Sequence, residues 1–283
     1  MRSWFGFGPS YLGRNERATC VCGAVRTDIP KRLWRVSDKE VDLIFPKYFY
    51  RCPKCRSFSA VNLYFPVEKY EEMPLETMHI SEKKRQLNAA RIAWMAKRVE
   101  LPENAIVYDL GAGEGCFSHT FATANPKATV FAVEADARIK NKFYTTNDRI
   151  IFVPMYIEAF LQQPPSAGRR QPNLVVLTDV LEHVLAPELF LKEVARVLAP
   201  GGLAYLTIPD ANTFQTPFPY PAKPGTIDWP HANRTCQHLW MMEPKIFSEI
   251  VSAHLEMVAE SQSLETDIRR DSVYTTILAR NSN

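Results

Sequence analysis

Apolar runs of strand length recur along the second half of the chain, with amphipathic stretches between them. The runs predict buried parallel strands at 106–109, 128–134, 149–154, 173–178 and 203–209. The amphipathic pattern predicts helices at 81–99, 114–124, 187–198 and 244–254, and further alternation predicts two late strands at 255–263 and 273–279. We therefore expect an α/β domain in which strands and helices alternate.

Three glycines follow the first of these strands directly. The strand ends at Asp109, and glycines at 111, 113 and 115 complete the pattern D-x-G-x-G-x-G. Glycine tolerates positive φ and lets a ligand approach the backbone closely, and the helix that follows offers N–H groups to a polar ligand. A dinucleotide fingerprint is not formed, because Cys116 occupies the position of its last glycine. An ordinary tight turn is the alternative interpretation.

An acidic residue ends the second strand. Glu134 lies about 25 residues beyond Asp109, near the distance at which a doubly wound fold places a ribose-binding carboxylate. A carboxylate can accept hydrogen bonds from both ribose hydroxyls, which explains the residue type. We predict that Glu134 binds the ribose, with Asp136 as a weaker alternative. The other interpretation is that Glu134 has no ligand and is simply an acid exposed to solvent at the end of its strand.

Two further motifs give the chain a family resemblance. The fourth strand exits through D-V-L-E-H-V at 179–184, and the next helix ends in R-V-L-A-P-G-G before the fifth strand. With the glycine motif, this block resembles class I S-adenosylmethionine (SAM)-dependent methyltransferases over about residues 104–210. The resemblance implies a doubly wound seven-stranded sheet with an antiparallel last strand and an enzyme that uses SAM. It implies cofactor contacts from Asp109, Gly111, Ala112, Gly113, Gly115, Glu134, Ala135, Tyr156, Thr178 and Asp179.

The residues after the third predicted strand, where family members contact the adenine of SAM, depart from the family pattern. Relatives often carry an Asp shortly after the third strand, but Met155 and Tyr156 stand there in this chain. Either side chain could pack against the adenine ring, and Glu158 could replace the acid. The missing Asp also leaves open a SAM-binding scaffold without catalytic activity.

Four of the six cysteines form two close pairs, Cys20 with Cys22 and Cys52 with Cys55. Four thiolates satisfy the tetrahedral geometry of a structural Zn²⁺ ion, and paired spacings without a secretion signal favour metal over disulfides. We predict a zinc-ribbon-like module, with four unliganded reduced cysteines as the alternative. The expected organisation is a zinc module with an N-terminal arm at 1–66, a linker and covering helix at 67–103, and the SAM-binding domain at 104–283.

Residues 210–243 are rich in proline and aromatic residues and lack periodicity, which predicts a substrate-facing lid. Histidine suits proton abstraction near neutral pH. The candidate bases are, in order of preference, His238, His183 and His231, with Tyr220 as a residue that holds the acceptor. A purely structural role is the alternative for each of them.

The sequence around His238 resembles sugar-modifying methyltransferases, a subgroup of which carries an N-terminal four-cysteine zinc module. This resemblance implies a small polar acceptor, a sugar or nucleotide sugar. O-methylation and C-methylation are both open as the reaction, and N-methylation is less favoured than either. The rival hypothesis is a protein that docks on a protein or RNA partner through the zinc module.

Composition excludes some classes of function. The net charge is +3 without a dense basic run, so nucleic-acid binding is not expected. No apolar run approaches 18 residues, so no membrane span is expected, and the first residues do not resemble a signal peptide. We expect a cytoplasmic protein, and the sequence leaves its oligomeric state open.

Overall fold

The computed structural model describes residues 11–14, 19–27, 33–37, 48–60, 62–65, 75, 78–145, 147–163, 170–211, 226–228, 238–265 and 273–282. Five short strands lie in the N-terminal part: β1 (Tyr11–Arg14), β2 (Leu33–Ser37), β3 (Tyr48–Arg51), β4 (Phe58–Ala60) and β5 (Asn62–Phe65). Strands β1 and β5 pair antiparallel, and β3 lies antiparallel between β2 and β4.

Helices and strands alternate after residue 81, as the sequence predicts. In chain order they are α1 (Glu82–Ala96), β6 (Ile106–Leu110), α2 (Cys116–Ala124), β7 (Thr129–Glu134), α3 (Lys140–Phe143), β8 (Ile150–Pro154), α4 (Ile157–Gln162), β9 (Leu174–Thr178), α5 (Pro187–Val197), β10 (Leu203–Pro209), β11 (Thr226–Asp228), β12 (Trp240–Met241), α6 (Pro244–Ser252), β13 (Glu256–Ser261) and β14 (Tyr274–Arg280). Ser81 caps α1 by accepting the Lys84 N–H, at 3.2 Å. Helix α2 begins at Cys116, two residues later than predicted, because Gly115 has φ 73° and is not helical.

Seven strands form one sheet in the order β13-β14-β10-β9-β6-β7-β8. Strands β6 to β10 run parallel, and β14 lies antiparallel to β10. The predicted doubly wound sheet with an antiparallel last strand is therefore confirmed. The chain moves from β6 to β7 on one side and to β9 on the other, and the crevice at such a reversal is where doubly wound sheets bind ligands.

Both faces of this sheet are covered, which explains why its strands are apolar throughout. Along β6, Tyr108 faces a cluster with Phe160 of α4 and Phe190 of α5, whereas Val107 faces a cluster with Phe117 of α2. Successive strand residues point to opposite faces, so a strand covered on both sides needs apolar residues at every position.

A second, five-stranded sheet joins the two ends of the chain. Its order is β11-β2-β3-β4-β12, so both outer strands come from the segment that follows β10. Strand β12 pairs antiparallel with β4, with Trp240 opposite Ser59 and Met241 opposite Phe58. The segment predicted as a lid thus contributes two strands to the N-terminal module. The sequence did not predict these strands, because they are too short to show alternation.

The same contact extends into the core. Phe49 and Phe58 from the module are fully buried in one apolar cluster with Val184, Trp240 and Phe247. The module and the seven-stranded sheet therefore share a core. Among the helices of the described residues, none has the length and apolar character needed to cross a membrane.

Phe58→Ala should destabilise the whole protein by about 3–5 kcal/mol, because it opens a cavity in the shared core. Unfolding in urea, followed by tryptophan fluorescence, should show one shifted transition. Val25→Ala is the matched control, because Val25 belongs to the same module but is 65% exposed, and its effect should stay within about 0.5 kcal/mol. Two separate transitions, of which only a minor one moves, would contradict the shared core.

Candidate functional site

The glycine turn after β6 is shaped by its contacts. Gly111, Gly113 and Gly115 have φ of 75°, 51° and 73°. A Cβ atom at Gly111 would lie 2.8 Å from the Val180 side chain, and one at Gly115 would lie 2.8 Å from the Tyr144 ring. A Cβ at Gly113 would meet nothing within 4 Å, so the turn is open on that side to an incoming ligand.

Glu134 lies beside this turn at the end of β7. Its Oε2 accepts the Gly113 N–H at 3.1 Å, and its Oε1 accepts the Asp136 N–H at 3.0 Å. Burial raises the pKa of the Glu134 carboxyl group. A carboxylate has about four lone-pair sites, and the backbone N–H groups of Gly113, Ala135 and Asp136 do not fill them, so the group is fixed in place and can still accept a hydroxyl donor.

The carboxylate of Asp136, the weaker ribose candidate, pairs with an arginine and not with the glycine turn. Its Oδ2 pairs with Arg138 Nη2 at 2.7 Å, and this hydrogen bond lowers the pKa of Asp136. Of the two acids, Glu134 is the one that contacts the glycine turn.

Asp109 lies behind the turn and is only 1% exposed. Its Oδ2 accepts the Ser118 Oγ–H at 2.6 Å, which ties β6 to the first turn of α2. Burial raises the pKa of Asp109 to about 6, although the Ser118 hydrogen bond and the Arg91 charge oppose the shift. Arg91 is itself buried and makes a bidentate pair with Glu265, at 2.8 and 2.6 Å.

The remaining predicted cofactor residues lie at the same edge of the sheet. Tyr156 follows β8 and is 54% exposed, so its ring is available for stacking, whereas the alternative acid Glu158 is buried. Thr178 ends β9, and Asp179 follows with φ 58°, an uncommon conformation for a residue other than glycine. Ala112 and Ala135 adjoin the glycine turn and Glu134 in sequence. The structure thus brings the predicted cofactor residues together, and their roles remain predictions.

Two of the candidate bases meet at the exit of β9. His183 ends a 3₁₀ turn at Leu181–His183, and its ring centroid lies 4.9 Å from that of His238, which precedes β12. His238 Nε2 lies 3.9 Å from Glu182 Oε1, and Glu182 is 1% exposed. The other two candidates, His231 and Tyr220, lie outside the described residues.

Backbone contacts fix this cluster. The Leu239 N–H donates to the Glu182 carbonyl at 2.6 Å, and Trp240 Nε1 donates to the Val184 carbonyl at 2.8 Å. We call Glu182, His183 and His238 the acceptor-side cluster, after the role that the sequence predicts for its two histidines. Sequence reasoning gave Glu182 no role of its own. The available signal was an acid next to a histidine at the carboxyl end of a parallel strand.

The four cysteines of the N-terminal module come together in space. Cys20 Sγ lies 3.6 Å from Cys55 Sγ, and Cys22 Sγ lies 3.8 Å from Cys52 Sγ. All four sulfur atoms lie within 4.8 Å of one another. Tetrahedral zinc with Zn–S bonds of about 2.3 Å places sulfur atoms about 3.8 Å apart, so the arrangement fits structural Zn²⁺.

The local backbone and the thiol chemistry agree with this fit. Each cysteine pair is followed by a residue with positive φ, Gly23 at 76° and Arg56 at 65°, which turns the chain back. Hydrogen bonding to Cys20 lowers the pKa of the Cys55 thiol to about 5, and the same contact raises the pKa of Cys20. The thiolate is the form that binds metal.

Residues 81–258 match a family model described as a methyltransferase domain. The match spans more than half of the chain, and the chain therefore belongs to this methyltransferase family. No curated protein shows significant sequence similarity to it.

Solved structures give the same fold. A methyltransferase from the complex with the Haloferax volcanii Trm112 methyltransferase activator is 13% identical, with a TM-score of 0.52 over 73% of this chain and 100% of that one. The plantazolicin methyltransferase BpumL in complex with SAH is 12% identical, with a TM-score of 0.52 over 70% and 84% of the two chains. A sarcosine dimethylglycine methyltransferase from Galdieria sulphuraria is 16% identical, with a TM-score of 0.50 over 75% and 91%.

Cys52→Ser should remove zinc from the purified protein, because it takes away one of four ligands. Elemental analysis of protein prepared without chelator checks this. Cys116→Ser is the matched control, because Cys116 is also a buried free cysteine but lies in α2, outside the cluster, and it should leave the zinc content unchanged. Wild-type protein without zinc would remove the predicted metal centre.

Asp109→Asn should change the pH dependence of stability. The folded pKa of about 6 lies above the ordinary 3.8, so the folded protein binds this proton more tightly than the unfolded chain does. Stability from this group is therefore full below about pH 4, falls as the pH rises to about 6 and then stays level. Removing the acid should stabilise the protein near pH 7 by up to about 3 kcal/mol, at about 1.4 kcal/mol per pKa unit.

Urea unfolding of wild type and Asp109→Asn at several pH values between 4 and 8 measures this difference. The asparagine oxygen can still accept the Ser118 hydrogen bond, so the comparison isolates the charge. A difference in stability that does not change with pH would show that Asp109 is not a strained buried carboxylate.

Proposed function

We propose that this protein is a SAM-dependent methyltransferase that methylates a small polar acceptor, a sugar or sugar-derived group, on oxygen or carbon. The observation that carries the proposal is the position of the glycine turn next to the acceptor-side cluster at one edge of the sheet. Val180 joins them, because it packs against Gly111 and lies two residues before Glu182.

The cofactor half of the site consists of the turn and the acids around it. Glu134 would accept the ribose hydroxyls, Tyr156 would pack against the adenine, and the open backbone at Gly113 would receive the rest of the molecule. SAM supplies a methyl group that its sulfonium already activates. The SAH bound to BpumL, which shares the fold, supports this cofactor assignment.

The chain's own task is to orient the acceptor, exclude water and manage its proton. His238 has its Nε2 facing the buried carboxylate of Glu182, and a carboxylate orients an imidazole in many proton-transfer sites. Leu239, Trp240 and Met241, all buried, follow His238 in the chain and exclude water from that side of the cluster. We assign His238 as the leading candidate for the acceptor-activating residue.

The way the N-terminal module packs favours a small acceptor over a macromolecule. Strand β4 and Phe58 are used inside the molecule, where they pair with β12 and fill the core. The module therefore supports the wall of the site from which His238 projects. A surface already buried in this way is not available to dock a partner.

Wild-type protein should bind SAM and SAH in calorimetry, and Glu134→Gln should weaken both by about 10- to 100-fold, the value of hydrogen bonds to a charged group. Asp136→Asn is the matched control and should bind like wild type. A larger loss in Asp136→Asn would move the ribose contact to Asp136. If wild type binds neither ligand, the proposed function is wrong.

The acceptor is found by incubating the protein with methyl-labelled SAM and a panel of sugars and nucleotide sugars, followed by NMR of the products. The labelled carbon shows directly whether oxygen or carbon has been methylated. Label transferred only to added RNA or protein would favour the macromolecular alternative.

A further inference from the structure

We propose that Glu182, His183 and His238 bind a divalent first-row transition-metal ion, and that this ion holds an oxygen acceptor next to the methyl donor. The inference deepens the proposed function and rests on it for the role of the ion. Binding of the ion itself can be tested independently.

The first argument is geometric. One ligating atom from each of the three residues lies within 4.8 Å of the other two. A metal ion with ligands at about 2.0–2.2 Å brings neighbouring ligand atoms to about 3–3.5 Å from each other. His238 Nε2 and Glu182 Oε1 are already at 3.9 Å, so small side-chain rotations would complete the site.

The second argument is electrostatic. Glu182 is 1% exposed in a wall that includes the buried side chains of Leu181, Val184 and Trp240. Charges interact more strongly in such a buried, apolar setting than in water. A cation held between the Glu182 carboxylate and the two imidazoles would therefore be attracted strongly by the carboxylate.

The third argument is that the ligands are held in place before any ion arrives. Glu182 and His183 lie on the 3₁₀ turn after β9, and His238 reaches them from a segment about 55 residues later. The Leu239–Glu182 backbone bond locks the two segments together, and β12 is in turn paired with β4. A prepared set of donors on rigid elements is what a metal site requires.

The donor set indicates the kind of ion. Two imidazoles and one carboxylate suit Mn²⁺, Fe²⁺, Co²⁺ or Zn²⁺ better than Mg²⁺ or Ca²⁺, which prefer oxygen ligands only. Three protein ligands leave coordination positions open, as in catalytic sites. The four-cysteine cluster differs in this respect, because four protein ligands fill a tetrahedron.

The open positions suit an acceptor with two neighbouring oxygens, such as a 1,2-diol or a hydroxy-carbonyl compound. A coordinated hydroxyl has a lowered pKa and would release its proton to bulk water as the acceptor binds, before the site is closed to water. The new O–CH₃ bond then forms as the CH₃–S⁺ bond breaks, and the electron pair of that bond stays on sulfur as a neutral thioether. In this arrangement both histidines are ligands, His238 is not a general base, and oxygen is favoured over carbon as the acceptor atom.

The test is a Mn²⁺ titration of wild-type protein that carries only one Zn²⁺ per chain by elemental analysis, followed by the EPR signal of free Mn²⁺. Zinc occupies the thiolates, for which Mn²⁺ competes poorly, so the titration reports the histidine site. We expect one Mn²⁺ per chain, with ¹⁴N coupling from imidazole in the pulsed EPR spectrum. Glu182→Gln and His238→Ala should weaken binding by more than about 100-fold, since even outer-shell partners are worth about 10- to 100-fold.

The matched control is His254→Ala, a histidine that lies just beyond the C-terminal end of α6, and it should bind Mn²⁺ like wild type. If circular dichroism shows that a variant does not fold, the ¹⁴N coupling in the wild-type spectrum decides whether histidine binds the Mn²⁺. Wild type that binds no Mn²⁺ or Co²⁺, or binds Mn²⁺ without ¹⁴N coupling, overturns the inference.

Calorimetry with SAM on the same samples separates the two proposals. SAM binding without metal binding rejects the ion and returns His238 to the role of a base. Metal binding without SAM binding leaves the site intact but rejects the proposed function.

Discussion

The pairing of β4 with β12 is the constraint on which the rest of the site depends. It consists of two register pairs and the adjoining bond from the Ala60 N–H to the Leu239 carbonyl, at 2.8 Å. A contact this short has little stability of its own. It persists because Trp240 and Phe58 are buried beside it and the Trp240 indole is bonded to Val184. The position of His238 therefore follows from packing in the module as much as from the seven-stranded sheet.

Features encoded within one element could be predicted from the sequence. The D-x-G-x-G-x-G turn, Glu134 at its strand end and the helix cap at Ser81 each need only a few neighbouring residues, and the structure has them where the sequence placed them. The four cysteines could be grouped because thiolate chemistry explains their spacing. His183 could be located because it follows a recognisable parallel strand.

The acceptor-side cluster as a whole could not be predicted, because it depends on tertiary contacts. His238 meets Glu182 through strands of two and three residues, which carry no periodic signal. The surroundings of Asp109 are likewise invisible in a motif, since its hydrogen bond comes from Ser118 and the nearby positive charge from Arg91, which pairs with Glu265 of a distant segment. That pair also anchors α1, whose Lys84 reaches Glu114 in the glycine turn at 2.7 Å. The helix predicted to cover the turn is thus held near its N-terminal end by Lys84 and in its C-terminal half by Arg91.

The order in which the sheet is assembled has a consequence for biosynthesis. Strand β4 emerges from the ribosome long before β12. The edge of β4 that pairs with β12 therefore stays unpaired while about 180 further residues are synthesised. At about 5–20 residues per second, this interval lasts on the order of ten to forty seconds. An uncovered edge with Phe58 at its start invites pairing with other nascent chains. Newly made chains are therefore most vulnerable to aggregation during elongation, and an early helper that shields this edge would raise the yield of folded protein.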